Sequence, residues 1–218
     1  PNMATMLGFL ACDVAIKGQL LEELLQELTE QTFNQITIDG DTSTNDMVLV
    51  LANGTAHNKM ITEKNKDYYL FKEILTSAMT TLAKMIAKDG EGASKLIEVI
   101  VKNAPDPLNA RMMAKAIVGS SLVKTAIFGQ DPNWGRILCS MGYSSCPFDP
   151  KKVTIRLVDT VVFKDGEPQF FDSKKLSQKL TQDSVQISVE LANGTATATA
   201  WGCDLTYDYV KINALYQT

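Results

Sequence analysis

The residues with the most chemistry to offer lie in four stretches. Pro1-Asn2-Met3-Ala4-Thr5 runs straight into the apolar segment Met6-Leu7-Gly8-Phe9-Leu10-Ala11-Cys12, so Thr5 reads as an ordinary β-branched strand residue unless the chain is cut before it. A cut between Ala4 and Thr5 would change that. The new α-amine, with a reference pKa of about 7.7–8.0, would stand beside the Thr5 hydroxyl and act as its base. A second stretch, Asp39 to Asp46, alternates oxygen-bearing side chains as the first half of a calcium loop does. Calcium is rejected because Thr44 stands where Gly is required and Val50 where a bidentate Glu is required. What remains is a polar loop that bonds its own backbone and is dense enough in Asp, Thr, Ser and Asn to line a site.

Glu91 sits between glycines in Lys88-Asp89-Gly90-Glu91-Gly92. This is not a phosphate loop, since the Gly-Lys-Ser/Thr ending is missing. A helix stop is the simplest reading, and a carboxylate exposed to meet a cationic ligand is the functional one. Gly129-Gln130-Asp131-Pro132-Asn133-Trp134-Gly135-Arg136 combines a tight turn, a helix start, a Trp and an Arg, which capping and packing explain. The single histidine, His57, reads as a solvated surface residue, and it excludes poly-His metal sites.

Composition removes further classes. With Lys and Arg at 21 against Asp and Glu at 25, the net charge is −4, and no basic footprint for nucleic acid exists. No apolar run approaches the ~20 residues of a membrane helix. Cys12, Cys139, Cys146 and Cys203 form no CxxC, and they read as reduced, mostly buried thiols of an intracellular, cytoplasmic protein. At 218 residues the chain can bury a sizeable core. No charged leader is present, and the chain enters an apolar run where natural ends are polar and frayed, so the sequence reads as a piece cut from a longer precursor or as an artificial boundary.

These residues must be positioned by elements that periodicity predicts. Thr5 to Val14 reads as a buried strand, Leu20 to Leu28 as an amphipathic helix, and Ile36 to Ile38 as a short extended piece. Met47 to Ala52 is a strand ending at Asn53-Gly54. Phe71 to Ile86 forms one face of a long helix, Lys95 to Val101 is β-like, and a helix follows Pro105 and Pro107. Leu122 to Phe128 reads as a strand and Pro132 to Met141 as a short helix. Beyond Pro147 and Pro150 the pattern turns to β, with Val153-Ile155-Leu157 and Val185-Ile187-Val189-Leu191 alternating, and Leu176 and Leu180 on a short helix capped by Asp172 or Ser173. Asn53-Gly54 and Asn193-Gly194 both read as hairpin turns, the second leading into Thr195 to Trp201. They explain the two Asn-Gly-Thr sequons better than glycosylation does. The expected fold is α/β, an α+β layered sandwich with a mixed sheet. Its expected parts are a processing segment 1–4, an α/β part 5–146 and a smaller β-rich part 147–218.

The motifs taken together resemble one family. Pro1-Asn2-Met3-Ala4-Thr5-Met6-Leu7, Ile38 to Asp46, Asp89-Gly90-Glu91-Gly92-Ala93, Gly129 to Arg136 and Lys211-Ile212-Asn213-Ala214 are similar, collinearly, to the ornithine acetyltransferase (glutamate N-acetyltransferase) family of arginine biosynthesis. The resemblance implies a self-processing terminal-Thr nucleophile architecture. In it a precursor is cut at Ala4-Thr5, and this chain corresponds to the β chain of a heterotetramer completed by an α chain. It implies that Thr5 is the nucleophile, that Glu91, Asn213 and Thr218 contact substrate, and that the oxyanion-hole residues lie upstream. The implied reaction moves acetyl from N-acetylornithine to glutamate through an acetyl-threonine, with no metal or cofactor and with acetyl-CoA as a further donor in some members. The alternatives are a self-processing aminopeptidase or amidohydrolase, in which water is the acceptor, and a structural subunit without activity.

Overall fold

The computed structural model describes residues 2–216. Two cores organise it. The larger is built on a six-stranded sheet in the order β6-β5-β4-β7-β3-β8, formed by β3 (Leu96–Ala104), β4 (Thr154–Leu157), β5 (Thr160–Lys164), β6 (Glu167–Pro168), β7 (Ser184–Glu190) and β8 (Ala196–Cys203). β3 and β7 are parallel and every other pair is antiparallel, so the sheet is mixed. Ile97, Val99 and Val101 of β3 are buried against α3 (Pro107–Gly119), and the sheet's core also takes Ile137 and Met141 from α5 (Trp134–Gly142) and Leu176 from α6 (Ser173–Lys179). This core runs across residue 147, because β3 and α3 share it with β4 and β7.

The second core lies on the opposite face of β3. Leu96 and Trp201 join Leu20, Leu24 and Leu28 of α1 (Gly18–Gln31) and Phe71, Leu75, Met79 and Ala83 of α2 (Lys66–Lys88). Ala4 and Met6 complete it, leading into β1 (Leu7–Cys12), which pairs in parallel with β2 (Met47–Ala52) as a separate two-stranded sheet. Lys84 of α2 pairs with Glu98 of β3 at 2.7 Å, and Trp201 Nε1 donates to the same carboxylate at 2.8 Å, tying helix to sheet.

Three expectations are corrected. Leu122 to Phe128 is helix, α4 (Ser121–Phe128): Ser120 caps it by accepting from the Val123 amide, and burial at Val123, Lys124, Ala126 and Ile127 follows a helical turn. Asn193-Gly194 does not close a hairpin, because β3 lies between β7 and β8. The run Leu96 to Val101 is apolar enough to be buried on both faces and takes the central place, and the connecting residues hang from its end through Leu191 N to Lys102 O (3.1 Å) and Asn193 N to Asn103 O (2.9 Å). Asn53-Gly54 likewise joins no hairpin, since β1 and β2 run parallel. Asn53 Oδ1 instead accepts from Thr55 N at 3.0 Å in a local turn.

Candidate functional site

Thr5 lies two residues before β1 and is exposed, between buried Ala4 and Met6. Its φ is 46°, which for a β-branched residue is an outlier costing ~1–3 kcal/mol, so the Ala4–Thr5 joint is strained. The following residue is pinned. Met6 N donates to Asp46 Oδ1 at 2.8 Å, and Met47 N returns a bond to Met6 O at 3.3 Å, so the polar loop is fastened to the entry of β1.

Asp46 organises that loop. It accepts from Thr42 Oγ1 (2.6 Å), Ser43 Oγ (2.8 Å) and Ser43 N (3.1 Å) as well as from Met6, and Thr42 Oγ1 also lies 2.9 Å from Asn2 O. Burial alone would raise its pKa, but these hydrogen bonds outweigh it and hold the carboxyl down to about 2.

Glu91 follows α2, whose last turn gives way to Asp89 and Gly90. The loop is then locked to the start of α7 (Tyr207–Leu215). Thr206 caps α7 by accepting from Asp208 N and Tyr209 N, and its hydroxyl donates to Gly92 O at 2.6 Å. Gly92 has a φ of +64°, and a Cβ there would meet Tyr209 N at 2.5 Å, so only glycine lets the loop lie this close to the helix start. Asp204, 2% exposed, accepts from the amides of Ser94 (2.8 Å) and Lys95 (2.9 Å) and from the Ser94 hydroxyl, and this fixes the same loop from behind.

One turn along α7, Tyr209 donates to Asp39 Oδ2 at 3.2 Å. Burial, then the neighbouring charge of Asp39, pushes its phenol up to about 12, so it stays a donor throughout the physiological range. Asn213 Nδ2 donates to Glu91 Oε2 at 2.7 Å and to Tyr209 O at 3.0 Å.

Thr5, Glu91 and Asn213 therefore meet at one cavity of about 480 Å³, also lined by Asp39, Asp41, Asp89, Ile38 and Ile86. Thr218 lies outside the described residues. The cavity wall carries four carboxylates, from Asp39, Asp41, Asp89 and Glu91, beside the Thr5 hydroxyl, a setting that favours a ligand ammonium. His57 is exposed on a loop elsewhere, and the four thiols are unbridged. Sequence reasoning missed Tyr209 and the tether from Asp46 to Met6. The only available signal was the density of oxygen side chains from Asp39 to Asp46, because the partners are 170 and 40 residues distant along the chain.

The chain was compared with known proteins. The model of the ArgJ family matches residues 1–218. Arginine biosynthesis bifunctional protein ArgJ of Staphylococcus epidermidis is 53% identical over 218 residues, 100% of this chain and 55% of that protein. The protein of the same name from Lactococcus lactis is 56% identical over 216 residues, 99% of this chain and 54% of that one. The crystal structure of arginine biosynthesis bifunctional protein ArgJ from Bacillus halodurans matches with a TM-score of 0.95 at 50% identity, over 97% of this chain and 100% of that chain. The present chain spans about half the length of the curated relatives it matches. Matched along its whole length by family model and sequence, and over 97% of it by fold, this chain belongs to the ArgJ family.

Proposed function

We propose that this chain is the nucleophile-bearing β chain of an acetyltransferase of arginine biosynthesis, moving acetyl from N-acetylornithine to glutamate. Scission of Ala4–Thr5 frees the Thr5 α-amine, which takes the proton as Thr5 Oγ attacks the acetyl carbonyl. The C–N bond to ornithine breaks, ornithine leaves with that proton, and an acetyl-threonine ester remains. The amine of glutamate then attacks the ester, Thr5 Oγ departs and is reprotonated, and acetylglutamate is released. Acetyl-CoA would load the same oxygen, with its thiol as leaving group.

The observation that carries this reading is the meeting of Thr5, Glu91 and Asn213 at one acid-lined cavity beside a strained Ala4–Thr5 joint. Relief of that strain favours scission, and Glu91 pairs with a substrate ammonium through charge-assisted bonds while Asn213 orients the carboxylate. Thr218 adds a hydrogen bond to substrate. The α chain, from the same precursor, supplies the oxyanion hole and completes a heterotetramer. Support for that partner comes from the share of the relatives this chain leaves uncovered, and from exposed apolar side chains on β1 and β2, among them Leu7, Phe9 and Leu51.

The test is to incubate the complete protein with donor labelled in the acetyl group, quench, and map the label by peptide mass spectrometry. The expected result is label on a peptide beginning at Thr5, discharged by glutamate as acetylglutamate. Label on another residue, or none, overturns the mechanism, and release as free acetate in the presence of glutamate favours a hydrolase.

A further inference from the structure

Lys124 of α4 is only 3% exposed, yet its ammonium does not turn back into its own helix. Nζ donates to the Ile38 carbonyl and lies 3.7 Å from Cys203 Sγ at the end of β8. Those are the two residues on which Gly90 rests: a Cβ on Gly90 would stand 2.8 Å from Cys203 Sγ and 3.1 Å from Ile38 side-chain carbons. One buried cation thus lies beneath two walls of the cavity. From Ile38 the chain passes directly to Asp39, which accepts from Tyr209, and from Gly90 directly to Glu91, which accepts from Asn213. Burying an ammonium is costly, and a methionine of similar length would fill the space without desolvating a charge. The fold keeps the cation where a backbone carbonyl at the foot of the acidic loop needs a donor.

We propose that Lys124 is a positioning residue for the amine-binding wall, its ammonium holding Ile38 and Cys203 so that Asp39 and Glu91 face the cavity in fixed register. The role rests on the acetyltransferase reading for its substrate, but the hold on the two loops stands independently of it. Lys95 provides an internal control. It is also buried, at 6% exposed, but its Nζ donates to Ile127 O (2.9 Å) and Phe128 O (3.4 Å) at the end of α4, neither of which lines the cavity.

The experiment compares Lys124→Met with Lys95→Met in the complete protein, measuring thermal stability, steady-state kinetics with acetylornithine, and amide exchange of the peptides spanning 38–41 and 89–92. Both variants should lose stability. Only Lys124→Met should raise KM, by about tenfold with kcat within about threefold, and speed exchange in both peptides, and Lys124→Arg should recover part of the KM. Equal stability losses with no difference in KM or exchange would reduce Lys124 to a packing role and overturn the proposal. If Lys124→Met does not fold, the neutral Lys124→Gln against Lys95→Gln gives the same comparison. If the wild-type protein transfers nothing from acetylornithine, the functional reading fails, and the exchange data still decide whether Lys124 holds the loops.

Discussion

The two sheets of this molecule are built on opposite terms. The six-stranded sheet buries Ile97, Val99, Val101, Ile155, Ile187 and Val189 completely and is covered by helices. The β1–β2 pair has two strands, turns one side to the second core, and leaves Leu7 and Phe9 each 60% exposed. The candidate nucleophile lies in the strained segment that leads into the thin sheet, and not on the thick one. The lesson is a division of labour. The large sheet builds the larger core, and the small one is entered through a strained joint fastened by side-chain hydrogen bonds from the polar loop.

The sharpest break in this contrast is Thr5→Ala. Transfer should fall by about a thousandfold or more and scission of Ala4–Thr5 should stop, seen as uncut chain by intact-mass measurement, while the melting temperature stays near wild type. Ile97→Ala, in the thick sheet, should do the reverse, costing ~2–5 kcal/mol in denaturant unfolding while the surviving folded enzyme keeps its KM. Glu91→Ala should raise KM for acetylornithine by roughly ten- to a hundredfold, and an unchanged KM would return Glu91 to a helix-stop role.

Acid supplies a subtler probe. The Asp46 carboxyl is lower in the folded protein, at about 2, than its ordinary 3.8, so its contribution is whole above about pH 4 and fades as pH falls toward 2. Amide exchange at Met6 should accelerate over that window, and Asp46→Asn should flatten the dependence. The smallest effect is expected from Phe9→Ser, which should shift the stability of this chain by less than about 0.5 kcal/mol but weaken its association with the remainder of the protein.

Much of the large-scale order was legible in the residues. Leu20, Leu24 and Leu28 announce α1, and the alternation of Val185, Ile187 and Val189 announces β7, because one-sided burial imposes a period. The errors arise where local pattern is ambiguous. Leu122-Val123-Lys124-Thr125-Ala126-Ile127-Phe128 is too short and too apolar to choose between periods, and its buried lysine hides the helical face. Asn-Gly marks a turn but not which strand pairs next, and the central place went to β3 because it could be buried on both sides. At the site, Thr5, Glu91 and Asn213 were reached through motif resemblance. Tyr209 and Asp46 act through partners that sequence distance conceals.

The terminal helix α7 has no buried side chain. Beside the edge-to-face contact of Tyr207 with Phe128, its attachment is a matter of a few polar clasps: the Thr206 hydroxyl on Gly92, the Tyr209 phenol on Asp39, and the Asn213 amide on Glu91. Two of those clasps close on carboxylates that also border the cavity. An ammonium of the proposed substrate would share these carboxylates with the helix, and its occupancy and the docking of α7 would then be a single linked equilibrium.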